Sequence, residues 1–290
     1  MNNPTSIIFG GGGQDGFYLR LLLQQAGNEV ISIERNNSEL EDISNLEFVE
    51  KIIKKFNPEY IFHLAANSST RDEVWQQNHE TISTGTLNIL EGVKLYSPLT
   101  KVFLSGSGLQ FENKGRPIKE TDPFAATSMY AVSRIQTVYA ARYYRSLGLK
   151  VYIGYFFNHD SPHRTERHIN KKIIETVKNI AQGRCKELFI GDLSIKKEFG
   201  FAGDIVKGIL TLIEQEKVFE SVIGTGVAHS IEEWVAICFA LYSLNWQNFV
   251  KPLQNFIPEY KILVSDPSTI FSLGWKPETD IYLLAKMMNI

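Results

Sequence analysis

The chain has 290 residues, 43% hydrophobic and 21% charged, which is enough for a large core in one domain or two. Its formal net charge of −2 argues against nucleic acid or anionic lipid as the main partner. Cys185 and Cys238 stand far apart, which suggests neither a disulfide framework nor a structural zinc site, and no apolar run approaches the roughly 18 residues of a membrane span.

The opening Met1-Asn2-Asn3-Pro4 lacks the basic segment and apolar core of a signal peptide, so a cytoplasmic protein is expected. The first strand is expected at Ile7–Phe9. Gly10-Gly11-Gly12-Gly13-Gln14-Asp15-Gly16 follows it, and a helix is expected over Gly16–Gln25. Gly10, Gly13 and Gly16 have the spacing that opens a dinucleotide site. The first allows a tight turn, the second a close approach to pyrophosphate, and the third close packing of helix on strand. Free N–H groups and the positive dipole end at the helix start hold phosphates. A merely flexible turn is the bland alternative.

Further strands are expected at Val30–Ile33, Tyr60–Leu64, Lys101–Leu104, Val151–Tyr155 and Glu187–Ile190. Helices are expected at Leu46–Lys55, Asp72–Leu95 and Met129–Leu147, with Gly27 and Gly148 placed as end caps. This alternation predicts an α/β, Rossmann-like, doubly wound parallel sheet. Glu34 ends the second strand, where a carboxylate bonds the ribose 2′-OH of NAD and repels the 2′-phosphate of NADP. After residue 160 the pattern loosens into a polar stretch, Asp160–Arg167. Helices are then expected at Ile169–Ile180, Asp204–Gln215, Ile231–Tyr242 and Ile281–Met288. The expected division is a dinucleotide-binding domain over 1–160 and a smaller, mostly helical substrate lobe over 161–290. One or two later segments return to the sheet, and a cleft lies between the two parts.

Tyr130 and Arg134 are one helical turn apart, so phenol and guanidinium can share one site. A fixed cation favours phenolate, and such a tyrosine can exchange a proton with a sugar hydroxyl during hydride transfer. The bland alternative is a half-buried tyrosine beside a solvated arginine. His159, His163 and His168 have no carboxylate at ligand spacing, so no metal is expected and they are read as loop residues near a phosphate-rich ligand. Asn158, with an amide suited to hydroxyl or phosphate, and Lys171 and Lys197 are candidates for binding the substrate.

Several motifs together resemble the extended short-chain dehydrogenase/reductase family, in particular the GDP-mannose 4,6-dehydratase branch and the related GDP-4-keto-6-deoxymannose reductases. The glycine loop through Leu19 is similar to their cofactor loop. Phe62-His63-Leu64-Ala65-Ala66 is similar to the strand end along the cofactor, and Asn158-His159-Asp160-Ser161-Pro162 to their sugar-nucleotide segment. Gly191-Asp192-Leu193 through Gly200, Gly224-Thr225-Gly226 and Leu273-Gly274-Trp275-Lys276-Pro277 extend the likeness nearly end to end. The resemblance implies NADP or NAD as cofactor. Arg35 matches an arginine for the 2′-phosphate, and Asp42-Ile43 a segment touching adenine. It implies a nucleotide sugar, with GDP favoured, as substrate.

Four departures from the family pattern stand out. Arg134 replaces the lysine of Tyr-x-x-x-Lys. In Ser105-Gly106-Ser107-Gly108, glycines take the hydroxyl and glutamate positions that serve water elimination, leaving Ser105 or Ser107 to supply a hydroxyl. Asn36–Asp42 is short, as in the reductases, so the dehydratases' tetramer is not implied and a homodimer is left as the assembly to test. No arginine stands near Ile257 to hold the base. The expected activity is oxidation or reduction at C4 of a GDP-linked deoxy sugar. The rivals are a dehydratase with a displaced acid and a cofactor-binding homologue that has lost catalysis.

Overall fold

The computed structural model describes residues 3–34, 42–67 and 72–289. Strand and helix alternate through β1 (Thr5–Phe9), α1 (Gln14–Gln25), β2 (Glu29–Ile33), α2 (Leu46–Phe56) and β3 (Tyr60–His63). They continue through α3 (Trp75–Asn78), α4 (Gly85–Tyr96), β4 (Lys101–Ser107), α5 (Met129–Ser146) and β5 (Lys150–Phe156). The remainder comprises β6 (His159–Asp160), α6 (Ile169–Ala181), β7 (Leu188–Ile190), β8 (Lys196–Glu198), β9 (Gly200–Phe201), α7 (Ala202–Ile213) and β10 (Glu220–Ile223). It ends with β11 (Ala228–Ser230), α8 (Ile231–Ala240), β12 (Val250–Pro252), β13 (Ile262–Leu263), α9 (Ser268–Ser272) and α10 (Ile281–Met288).

Six strands pair in parallel in the order β10-β5-β4-β3-β1-β2. Their near-continuous apolar runs suit burial on both faces. Neighbouring residues alternate between those faces: Ile7, Ile61 and Val102 join a core with Val49, Ile89 and Val138. Ile8, Phe62 and Phe103 face Leu19, Ile205 and Ile209 instead. A third core of α6, α8 and α10 side chains, centred on the fully buried Trp234, holds the C-terminal part together.

Two expected elements differ. The segment read as one helix over Asp72–Leu95 is broken into a 3₁₀ turn, α3, a π-helical turn at His79–Thr84, and α4. The wide turn lets Ser83 donate to Gln136 Oε1 at 2.7 Å on α5, and Thr86 and Thr137 meet at 3.3 Å. The strand expected at Glu187–Ile190 forms, but pairs with β12 rather than joining the main sheet. Its middle residue, Phe189, is 51% exposed, whereas a strand within a doubly covered sheet is buried on both sides. Glu220–Ile223 takes that edge beside β5.

The strand order reverses between β1 and β3. In open α/β sheets the crevice at the carboxyl ends of strands at such a reversal is where ligands bind.

Candidate active site

A cavity of about 370 Å³ opens at that reversal. Gly10, Gly12 and Gly13 line it from the turn after β1, Glu34 from the end of β2, and Leu64, Ala65 and Ala66 from the end of β3. Asp42, Ile43 and Thr81 close another side. Gly10 has φ +92°, and a Cβ there would lie 2.5 Å from the Ala65 nitrogen, so only glycine permits this turn. A Cβ on Gly16 would meet Gly10 O and Gly11 Cα at 2.6 Å, which fixes how closely α1 crosses the strand end. Gly13 is different: its nearest neighbour would be Gly10 O at 3.4 Å, an ordinary contact. As N-cap of α1 it offers no side chain to the first-turn N–H groups, which stay available for phosphate oxygens. The residues present therefore fit a dinucleotide. Arg35 lies outside the described residues.

The side chains of Gln14 and Asp15 bond the segment at His159–Ser161. Gln14 Nε2 donates to the His159 carbonyl at 3.2 Å, and its Oε1 accepts from Ser161 Oγ at 3.0 Å. Asp15 Oδ1 accepts from His159 Nε2 at 2.9 Å. Their backbone N–H groups lie in the first turn of α1.

Ser128 caps α5 by accepting from Ala131 N at 3.1 Å, which sets the phase of the helix so that Tyr130 and Arg134 turn inward together. Arg134 Nε donates to the Tyr130 hydroxyl at 3.2 Å, and its guanidinium carbon lies 5.2 Å from the ring centroid. Arg134 Nη1 donates to both the carbonyl and, at 2.9 Å, the Oγ of Ser105. Ser105 Oγ in turn donates to the His63 carbonyl at 3.0 Å, one residue before the stretch lining the cavity. Ser105 thus gives its proton to the His63 carbonyl and accepts from Arg134, which leaves its hydroxyl no proton to donate to a substrate in this arrangement. Ser107 Oγ accepts from Leu109 N at 3.2 Å and keeps its own hydroxyl proton to give. The imidazole of His63 is neutral beside this cation: burial, with the Arg134 charge adding, pulls its pKa down to about 3.

The glycines at 106 and 108 face aromatic rings. A Cβ on Gly106 would lie 2.6 Å from Tyr155 Cδ1, and one on Gly108 would lie 2.8 Å from Phe157 Cζ. Both rings are buried in the core beneath the site. A cleft of about 560 Å³ begins at Gly108 and Leu109 and runs past Phe111, Ala125 and Thr127 to Tyr260.

The substrate candidates Asn158 and Lys197 gather near Tyr260, which lines both that cleft and a neighbouring cavity. Asn158 Oδ1 is buried without a hydrogen-bond partner, while its side chain bonds the Tyr260 hydroxyl. Lys197 is 7% exposed and lines a cavity of about 260 Å³ with Asp192, Phe256, Glu259 and Tyr260. Burial lowers its pKa to about 8, with Asp160 opposing and Arg164 adding to the fall. Burial likewise lowers His168 to about 4, again with Arg164 adding. Arg164, Lys197 and His168 therefore surround one carboxylate, Asp160, which already accepts from Asn170 Nδ2 at 2.6 Å and pairs with Arg164 Nε at 3.3 Å. Lys171 is not brought here; it pairs with Glu175 at 2.8 Å and donates to the Met288 carbonyl at 3.3 Å.

Sequence reasoning missed Thr81, Tyr260 and the grouping of Arg164 with Lys197. The π-helical turn that presents Thr81 has no sequence signature, and Tyr260 follows a loop. Among the described residues, no group of three or more His, Cys, Asp and Glu side chains could hold a metal ion.

The family model described as GDP-mannose 4,6 dehydratase matches residues 39–288. GDP-mannose 4,6 dehydratase 2 of Arabidopsis thaliana is 29% identical, covering 98% of this chain and 85% of its own. The GDP-mannose 4,6-dehydratase of Vibrio cholerae serotype O1 is 32% identical, covering 81% of this chain and 71% of its own. Among solved structures, RMD from Pseudomonas aeruginosa complexed with NADPH has a TM-score of 0.86 at 18% identity, covering 99% of this chain and 96% of its own. The Thermus thermophilus UDP-glucose 4-epimerase complex with NAD has a TM-score of 0.82 at 21% identity, covering 98% of both chains. At such identities these two structures share the fold.

Proposed function

The chain belongs to the GDP-mannose 4,6-dehydratase family, and on that premise we propose that it reduces the C4 ketone of a GDP-linked 6-deoxy sugar with NADPH or NADH, or in the reverse direction oxidises the corresponding alcohol with NADP+ or NAD+. One observation carries the choice of reaction. The Tyr130–Arg134 pair is tied through Ser105 to the His63 carbonyl, one residue before the Leu64–Ala66 stretch of the glycine-lined cavity, while Gly106 and Gly108 bring neither hydroxyl nor carboxylate and lie against aromatic rings.

A bound nicotinamide supplies or accepts the hydride. Tyr130 gives its phenolic proton to the C4 oxygen as the ketone is reduced, and Arg134 Nε stabilises the oxygen left behind. Ser107 can donate a hydrogen bond to the same oxygen. The α1 N-terminus and the bare face of Gly13 hold the cofactor phosphates, and Glu34 accepts from an adenosine ribose hydroxyl. Arg164 and Lys197 bind the sugar-nucleotide diphosphate, and the unpartnered Asn158 Oδ1 accepts from a substrate hydroxyl. Water elimination requires a base at C5. General acid–base help is worth about 10²–10⁴-fold, and position 108 has no carboxylate to provide it.

No described helix is long and apolar enough to cross a membrane. Cys185 and Cys238 are both free thiols, which supports a reducing, cytoplasmic setting. A homodimer across α4 and α5 is supported by Leu87, Leu95, Tyr139, Tyr143 and Leu147, all exposed on those helices and the residue that follows α5. The test of the reaction is product analysis after incubation with GDP-4-keto-6-deoxymannose and NADPH, and separately with GDP-mannose. The first mixture should yield a 6-deoxyhexose product, and the second should yield no 4-keto-6-deoxy sugar.

A further inference from the structure

His159 follows directly on Asn158, yet its ring belongs to the cofactor side of the site. Its Nδ1 contacts the Phe157 carbonyl at 2.8 Å and its Nε2 the Asp15 carboxylate at 2.9 Å. A carbonyl and an ionised carboxylate only accept, so both ring nitrogens carry protons and the ring is an imidazolium. Burial opposes that charge, but Asp15 more than offsets it and raises the pKa of His159. Burial likewise pushes Asp15 up, and the charge and hydrogen bond of His159, with Arg164 helping, bring it below its usual range. The pair is reinforced by Gln14, which bonds the His159 carbonyl and Ser161 Oγ, so two adjacent α1 residues grip His159 and Ser161 of the sugar-nucleotide segment.

The position of Asp15 gives the pair a consequence. Asp15 lies in the first turn of α1, whose N–H groups face the phosphate site. A bare carboxylate there would repel a pyrophosphate; an imidazolium at 2.9 Å neutralises it. The same imidazolium is one residue from Asn158. Any shift of the sugar-nucleotide segment therefore changes the charge presented to the cofactor, and the reverse holds by linkage.

We propose that the Asp15–His159 ion pair is the joint between the two ligand sites, so that nucleotide diphosphate and dinucleotide bind cooperatively through it. His159 is a positioning residue in this role, and the inference rests on the dinucleotide and GDP-sugar reading above.

Calorimetric titration of NADPH into the protein, with and without saturating GDP, tests it. In the unaltered protein GDP should tighten NADPH by about fivefold or more, in the ordinary range of site–site coupling. In His159→Asn, NADPH should bind more weakly and its affinity should no longer respond to GDP. In Asp15→Asn/His159→Asn both charges are gone; NADPH affinity should recover while the response to GDP stays absent. A merely structural role predicts no such rescue. Nitrogen-15 NMR of the unaltered protein should show both ring nitrogens of His159 protonated at neutral pH, independently of any variant's folding. A neutral ring, or a GDP response that survives in His159→Asn, overturns the joint. If neither GDP nor a dinucleotide binds the unaltered protein, the functional reading falls first and the joint with it.

Discussion

The Nε of Arg134 lies 3.2 Å from the hydroxyl of Tyr130, one helical turn earlier, while the Nη1 of the same guanidinium is fastened to Ser105 on the neighbouring strand. The guanidinium makes these contacts from two separate nitrogens of one planar fork, whereas a lysine would have to make them from a single ammonium on a flexible stem. The arginine links Tyr130, the proposed proton-transfer residue, to the end of the sheet.

Tyr130→Phe removes the proton and leaves the ring packing. Turnover should fall by about 10²–10⁴-fold with NADPH affinity essentially unchanged. Single-turnover kinetics and a cofactor titration on the same preparation check both halves. Unchanged turnover would favour a protein that binds its cofactor without using it.

The two serines should separate. Ser105→Ala cuts one of the bonds that hold Arg134 and should lower stability by about 0.5–1.5 kcal/mol. Its KM for the sugar nucleotide should stay the same, since the Ser105 hydroxyl gives its proton to the His63 carbonyl. Ser107→Ala removes the hydroxyl that remains free to donate and should lower kcat more than Ser105→Ala does. Denaturant melts beside steady-state kinetics distinguish the two patterns.

Lys197 gives a pH signature. It is protonated below about 8, so affinity for GDP should be highest there and fall as pH rises through that value. The stability trend has the opposite sign. The folded-state pKa lies below the unfolded 10.5, so folding opposes the charge at low pH. Between about 8 and 10.5 the unfolded chain binds more protons and stability rises with pH. Lys197→Met should flatten both trends, as read by GDP titrations and urea melts across that window.

Gly13 and Gly16 should fail in different ways. Gly16→Ala forces a methyl to 2.6 Å from backbone atoms and should cost about 1–3 kcal/mol of stability together with the cofactor. Gly13→Ala meets only an ordinary contact, so Tm should hold while NADPH affinity drops, because the methyl occupies the face the phosphates approach. Thermal melts with and without NADPH read the contrast.

The sheet was legible where the signal is local. Ile7–Phe9 with its glycines, Phe62 and Phe103 with apolar neighbours, and the one-turn spacing of Tyr130 and Arg134 each carry their own periodicity or steric demand. What could not be read depends on distant partners. Leu188–Ile190 looks like any short strand, and only the half-exposed setting of Phe189 sends it to β12. The commitments of Gln14, Asp15 and Ser105 likewise depend on residues 29 to 147 positions away. A side chain's type shows what it can bond; the fold decides which bond it makes. Lys171 and Lys197 look alike in sequence, yet one is tied to Glu175 on its own helix and the other is buried beside Arg164.

Reduction at C4 by the nicotinamide is read by following the hydride. The unaltered protein is incubated with GDP-4-keto-6-deoxymannose and NADPH deuterated at the transferring position, and the product is read by NMR. One deuterium at C4 is expected for each NADPH consumed. Absence of label from C4, or redox-neutral conversion of GDP-mannose to a 4-keto-6-deoxy sugar without net use of cofactor, would contradict it.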